Sequence, residues 1–222
     1  MNAPVQHPGD DLLLAHAAGQ LAAGPAILVA THLEGCAHCR ERMRTLQATG
    51  GALLESLPEA SLPPDALART MASIDALHRP GREWPAPVQP TAHPALPDGM
   101  SWPKALRGCQ ASRWHWMGPG MRWSRVTVPY DPAANVFLLR IAAGKFLPQH
   151  THSERELTQV LYGRFHDGRA MFGPGDFDDT DPTIRHQPVV QAEGECICIA
   201  SVEGRVVFDG FIARTLGTLV GM

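Results

Sequence analysis

The sequence has no long hydrophobic run and no dense cluster of basic residues. No apolar stretch reaches the roughly 18 residues that a membrane-spanning helix requires, and residues 1–10 contain no Lys or Arg. The 19 basic residues are dispersed among 22 acidic ones, which gives a net charge of −3. Because nucleic acids bind to concentrated positive charge, this pattern argues against direct nucleic-acid binding. It also argues against a membrane segment and predicts a cytoplasmic protein.

Cysteine is scarce and unevenly placed. Only five cysteines occur in 222 residues, and two of them form a Cys-x-x-Cys pair close to a histidine. This arrangement favours metal binding in a reducing compartment over a secreted disulfide framework. The content of 44% hydrophobic and 18% charged residues is typical of globular proteins, and the length predicts two compact domains.

The apolar periodicity and capping residues of residues 1–79 predict an all-α domain of four helices. Asp10 is a suitable N-cap for the first helix, Pro25 suits the first turn of the second, and Gly35 can end it. The predicted helices run from Asp10, from Pro25 to Leu33, from about residue 37 to 54 and from about residue 64 to 78.

A proline-rich linker and an all-β domain follow the helices. Residues 80–103 contain seven prolines and no apolar periodicity, which predicts an extended linker that lets two domains move relative to each other. The short β-rich runs beyond it are 125–128, 136–141, 157–162 and 196–199. Regularly spaced short strands indicate a sandwich or barrel. The predicted domains are therefore residues 1–79 and 104–222.

The Cys-x-x-Cys pair predicts a metal site between the second and third helices. His32, Cys36 and Cys39 provide three ligands across one turn, and a structural zinc ion requires four. His7 can supply the fourth ligand, with His16 and His38 as competitors. The alternative interpretation is a thiol redox pair, but such a pair normally opens a helix after a β-strand, and no strand is predicted here.

These residues resemble the signature of the zinc-binding anti-sigma domain, an upstream histidine followed by His-x-x-x-Cys-x-x-Cys. His7, His32, Cys36 and Cys39 match that signature one for one. The resemblance implies a bound Zn²⁺ and helices that wrap around an extracytoplasmic-function sigma factor, blocking its contacts with core RNA polymerase.

A second metal site is predicted in the β-rich half. The spacing Gly144-x5-His150-Thr-His152-x3-Glu156-x6-Gly163 resembles the first cupin motif. His150 and His152 point to the same face of an extended strand, so both can enter a barrel interior. Glu154 shares their parity and is the rival carboxylate, but the motif spacing places the ligand at Glu156.

The fourth ligand of this second site is expected from a partner strand. Pro174-Gly-Asp and Pro182-Thr-Ile-Arg-His186 resemble the second cupin motif, with His186 at its ligand position. Ile184 stands where that motif often has Gly, and no Asn follows four residues after His186. The resemblance implies a double-stranded β-helix, or jelly-roll barrel. Three histidines and one glutamate suit a divalent metal such as Zn²⁺, Fe, Mn or Ni.

Two further groups of residues have a predicted role. Cys196 and Cys198 lie on one face of a strand, as packed cysteines of the barrel or as reporters of redox state. Several apolar residues on the predicted helices exceed what so small a unit can bury, and are interpreted as a partner-binding surface. They are Leu12, Leu13, Ile27, Leu28, Leu67 and Met71.

The order of the parts resembles the ChrR-type family of zinc-dependent anti-sigma factors along nearly the whole chain. That resemblance implies a regulator, not an enzyme, which forms a 1:1 heterodimer with an extracytoplasmic-function sigma factor. It also implies release of the sigma factor under oxidative stress such as singlet oxygen, with the cupin as sensor. The alternatives are a cupin metalloenzyme, either a dioxygenase or an isomerase with a helical regulatory domain, and a metal-dependent binding module.

Overall fold

Four helices form the N-terminal half of the chain, as predicted. The computed structural model describes residues 3–77 and 93–208. The helices are α1 (Asp10–Ala17), α2 (Ala23–Gly35), α3 (Ala37–Glu55) and α4 (Ala66–Leu77). Helix α1 begins one residue away from the predicted cap, since Gly9 is its N-cap and Asp10 lies in its acidic first turn. None of the helices described is long and apolar enough to cross a membrane.

The second half is the predicted all-β cupin fold. After a 3-10 turn at Lys104–Leu106, the strands are β1 (Gln110–Ala111), β2 (His115–Gly118), β3 (Met121–Val128), β4 (Asp131–Ile141), β5 (His150–His152), β6 (Glu156–Tyr162), β7 (Phe165–His166), β8 (Met171–Phe172), β9 (Phe177–Thr180), β10 (Val189–Val190), β11 (Cys196–Val202) and β12 (Val206–Phe208). The large antiparallel sheet has the order β1-β3-β4-β11-β6-β9, and β2 also pairs with β3. Smaller sheets β10-β7-β8 and β12-β5 complete the barrel.

The two halves share one hydrophobic core, whereas the sequence predicts two domains that move relative to each other. Helix α2 packs against β4, β6 and β11. Leu28 and Val29 are completely buried in a cluster that also contains Val136 and Ile199 of the barrel. Gly24 allows this close approach, because a Cβ atom there would collide with Ser201 of β11. A proline-rich connection therefore does not uncouple the halves in this structure.

Polar contacts reinforce the same interface. Glu34 at the end of α2 accepts hydrogen bonds from the backbone N–H groups of Lys104 and Ala105, at 3.0 and 2.5 Å. Arg155 forms ion pairs with Asp11 of α1, at 2.9 Å, and with Asp179 of β9.

Residues 80–92 of the predicted linker and residues 209–222 of the predicted cupin domain lie outside the described residues, so both domain boundaries stay predictions.

Candidate metal centres

The four residues predicted as the first metal site converge at the start of α3. His7 Nδ1 lies 3.4 Å from His32 Nε2 and 3.4 Å from Cys36 Sγ. Cys39 Sγ lies 3.3 Å from His32 Nε2 and 3.5 Å from His7 Nδ1. Around a tetrahedral zinc ion, neighbouring nitrogen and sulfur ligands are about 3.3–3.8 Å apart. The cluster thus has the donor set and the spacing to hold one metal ion.

The competing histidines lie outside this cluster. His38 is exposed on α3, with its ring 4.9 Å from the ring of His7, and His16 is half-buried within α1. Neither belongs to the group of atoms that converge on one point. His7 joins the cluster only because the chain folds back before α1. The spacing of residues in the sequence does not determine that conformation.

Burial sets the protonation of this first cluster. It lowers the pKa of His32 to about 4, so the imidazole is neutral and its lone pair is available to a metal. Burial, together with the neighbouring Cys36, raises the pKa of Cys39 to about 12. Because a thiol with a raised pKa is less reactive, this burial disfavours the redox-pair alternative.

The second predicted site lies inside the barrel. His150 and His152 are the first and third residues of β5, and Glu156 is the first residue of β6. The backbones of His186 and His150 exchange a pair of hydrogen bonds. His186 Nε2 lies 3.1 Å from His150 Nε2 and 3.4 Å from His152 Nε2. Glu156 Oε2 lies 2.7 Å from His152 Nε2. All four side chains are buried, whereas the rival Glu154 is exposed.

The surrounding charges favour ionised Glu156 at this second site. Burial opposes ionisation, but the hydrogen bond from His152 and the neighbouring imidazoles outweigh it and lower the pKa of Glu156. Burial also lowers the pKa of His150 to about 4 and keeps that ring neutral. Three imidazoles and one carboxylate suit a divalent cation. His150 Nδ1 donates to the carbonyl of Pro148 at 2.8 Å, which directs Nε2 at the site.

Sequence analysis missed a group of charged residues behind His186. Asp167 lies 3.6 Å from His186 Nδ1, and Arg169 forms ion pairs with both Asp167 and Asp178. Burial, with Asp167 nearby, raises the pKa of Asp178 to about 6. The available signal in the sequence was the acidic run at residues 176–179, in which Asp176 and Asp178 alternate as the inward-facing residues of a strand do. Because Asp is rarely buried without a partner, such a position predicts a charged residue nearby.

We expect Asp167→Asn to weaken metal binding in the barrel by about 10- to 100-fold, because outer carboxylates orient and polarise the histidines that bind metals. Competition with a chelator, using the full chain with the first cluster intact, measures the loss. Asp181→Asn is the control, since Asp181 is exposed and bonds locally to Thr183. Equal affinity in the two variants would contradict a role for Asp167.

A small cavity adjoins the barrel site. Its volume is about 30 Å³, room for about two water molecules, and its walls include Leu147, Phe165, Cys196 and Cys198. Pockets for organic ligands usually measure about 300–1,000 Å³. The two cysteines are buried, with their sulfurs 3.6 Å apart, as packed residues of the barrel wall.

Most of the residues predicted as a partner surface are buried in this structure. The members on α1 and α2 are only 0–4% exposed, because they pack in the core shared with the barrel: Leu12, Leu13, Ile27 and Leu28. They are inaccessible to a partner in this structure. The two on α4, Leu67 and Met71, are 74% and 49% exposed.

The barrel, with a cluster of three histidines and one glutamate that could hold a metal ion, defines a cupin protein that also carries a helical module with a Cys2His2 cluster. A family model described as the ChrR cupin-like domain matches residues 104–203. Over 212 residues the chain is 35% identical to the anti-sigma-E factor ChrR of Cereibacter sphaeroides, with 94% of each chain covered. The chain therefore belongs to the ChrR family of anti-sigma factors.

A solved structure supports the same assignment. The chain is similar to one in the crystal structure of Rhodobacter sphaeroides SigE in complex with the anti-sigma ChrR, with a TM-score of 0.70 and 32% identity. The match covers 89% of this chain and 98% of that chain. Both the fold class and the family predicted from the sequence are thus confirmed, and the chain is a regulator and not an enzyme.

Proposed function

We propose that the chain sequesters an extracytoplasmic-function sigma factor as a 1:1 heterodimer, through its zinc-bound helical half. It releases the sigma factor under oxidative stress such as singlet oxygen, with the metal-bound cupin as sensor. The similarity to a ChrR that was crystallised with SigE supports the choice of partner. The Cys2His2 donor set, with both thiols buried, supports zinc as the metal of the helical site.

The observation that carries this proposal is the exposed apolar stripe of α4. Leu67, Met71 and Ile74 recur at helical spacing and are 74%, 49% and 41% exposed. The end of α3 and the segment after it add exposed Leu53, Leu54 and Leu57. Exposed apolar residues at helical spacing mark a protein interface, and a helical partner would complete the core that α4 lacks.

The double variant Leu67→Glu/Met71→Glu tests the stripe. Two buried, unpaired carboxylates at the interface should weaken binding of the cognate sigma factor by about 100-fold or more. Titration calorimetry with full-length proteins measures the affinity. Ala76→Glu is the matched control, because Ala76 is exposed on the opposite side of the same helix. If the control weakens binding equally, the contact surface lies elsewhere.

Contacts between the two halves support a role for the cupin in release. Strand β9 begins at Phe177, whose ring packs against His32, and ends at Thr180, whose hydroxyl donates to the carbonyl of Glu156 at 3.2 Å. One four-residue strand thus contacts both metal centres. The small cavity at the barrel site is lined by His150, Glu156 and His186, and its size limits access to small molecules, which supports a sensor of small oxidants.

A further inference from the structure

A turn of the barrel contacts both chain segments that supply histidines to the helical metal centre. The carbonyl oxygen of Gly175, just before β9, accepts a hydrogen bond from His32 Nδ1 at 2.9 Å. This bond directs His32 Nε2 at the cluster. Phe177 N donates to the carbonyl of Gln6, at 3.1 Å, immediately before His7. The barrel therefore reaches the centre from two sides.

Asp176, between these two residues, clamps the N-terminal segment. Its Oδ1 accepts hydrogen bonds from Val5 N at 2.6 Å and from Gln6 N at 2.9 Å. Its Oδ2 accepts one from Gly173 N at 2.8 Å, which fixes the carboxylate within its own turn. The side chain is buried, with the residue 6% exposed. Hydrogen bonds to a carboxylate are stronger than those between neutral groups, so the clamp is well defined.

On the N-terminal side of His7 these hydrogen bonds hold the segment, and on the other side Pro8 is buried. His32 and Cys39 lie in helices and Cys36 caps α3, whereas His7 belongs to residues 3–9, which form neither helix nor strand. Val5 is 74% exposed, so apolar packing contributes little there. The position of His7 Nδ1 therefore depends on the backbone hydrogen bonds that Asp176 and Phe177 provide, together with the burial of Pro8.

We propose that Asp176 is a positioning residue of the helical zinc centre, through which the cupin barrel increases the zinc affinity of the helical half. The inference goes beyond sigma-factor binding, and it rests on the proposed function only in taking the centre to hold zinc. The barrel thereby has a direct effect on the zinc affinity of the helical centre. Asp176 itself lies one hydrogen bond away from the backbone that bears His7 and does not bind the metal.

Cobalt titration of the metal-free full chain tests the proposal. Of the two clusters only the helical one includes cysteine ligands. With Cys196 and Cys198 of the barrel cavity replaced by alanine in every chain compared, the thiolate-to-cobalt charge-transfer band reports the helical centre alone. Asp176→Ala should weaken cobalt binding measured by this band by about 10- to 100-fold. Asp176→Asn should restore part of the affinity, because an amide oxygen can still accept from Val5 and Gln6.

Arg155→Ala is the control for general loosening of the interface. It removes the ion pair with Asp11 without touching the segment that contains His7, and should leave the cobalt affinity unchanged. Val5→Pro removes one donor of the clamp at an exposed position, and should weaken cobalt binding several-fold even if Asp176→Ala does not fold. Unchanged affinity in a folded Asp176→Ala or Val5→Pro chain would refute the positioning role. No thiolate band in the parent chain would refute the zinc centre instead.

Discussion

Cys36→Ser and Cys39→Ser are each expected to abolish zinc binding in the helical half and sigma-factor binding with it. Both thiols are buried at the junction of α2 and α3, at 2% and 0% exposure. Closed zinc sites contribute about 10 kcal/mol or more to the folding of small domains, so losing one ligand should lower the affinity for the sigma factor by more than about 100-fold. Elemental analysis and titration calorimetry on the full chain measure the two losses, and zinc should fall by one ion per chain.

His38→Ala is the matched control for these cysteine variants. His38 lies between the two cysteines in sequence, but it is exposed and outside the cluster. It should keep both zinc and sigma-factor affinity. A Cys36→Ser chain that binds its sigma factor at full strength would contradict the link between zinc and repression. A His38→Ala chain without zinc would move the fourth ligand from His7 to His38.

The helices and both ligand clusters could be predicted because their signals are local. Periodicity and Pro25 or Gly35 mark the helix ends within a few residues. The metal clusters depend on spacings within short segments, and the structure brings together every predicted ligand of both. His186 required a resemblance to a known motif, since a strand pairing across the barrel places it beside His150.

The shared core was not predicted from the sequence, although α2 contains a signal for it. Ile27, Leu28 and Val29 are consecutive, so they face different sides of the helix, and all three are buried. A helix that is hydrophobic all round is buried on every side, and a partner-binding helix normally keeps one polar face. Apolar residues on α2 were interpreted as a surface for another protein, while the cupin sheet in the same chain covers them.

The clamp at Asp176 could not be predicted from spacing. Pro174-Gly-Asp matches a cupin motif, and a motif gives no information on which distant segment contacts it. Asp176 bonds to residues about 170 positions earlier, and only the docking of α2 on the barrel brings them together. The sequence thus predicts the ligands of both candidate metal centres. The hydrogen bonds from the segment before His7 to Asp176 of the barrel are visible only in the structure.

Glu156→Gln is expected to remove the metal from the barrel and the response to oxidative stress, while repression persists. The substitution keeps the size of the side chain and removes the charge that pairs with His152 at 2.7 Å. Loss of the only carboxylate among the four ligands should weaken metal binding by about 100-fold or more. Elemental analysis checks the metal, and a reporter at the cognate promoter, with and without singlet oxygen, checks the response.

Glu154→Gln provides the matched control, because the chemical change is the same and Glu154 is exposed two residues away. It should keep the metal and respond to singlet oxygen like the parent chain. Loss of metal in Glu154→Gln would reassign the ligand to the rival carboxylate. A metal-free Glu156→Gln chain that still releases its sigma factor would place the sensor outside the barrel, with Cys36 and Cys39 as the next candidates. Release without any stress would show that the barrel metal supports repression itself, since β9 connects Glu156 to the turn that holds His32.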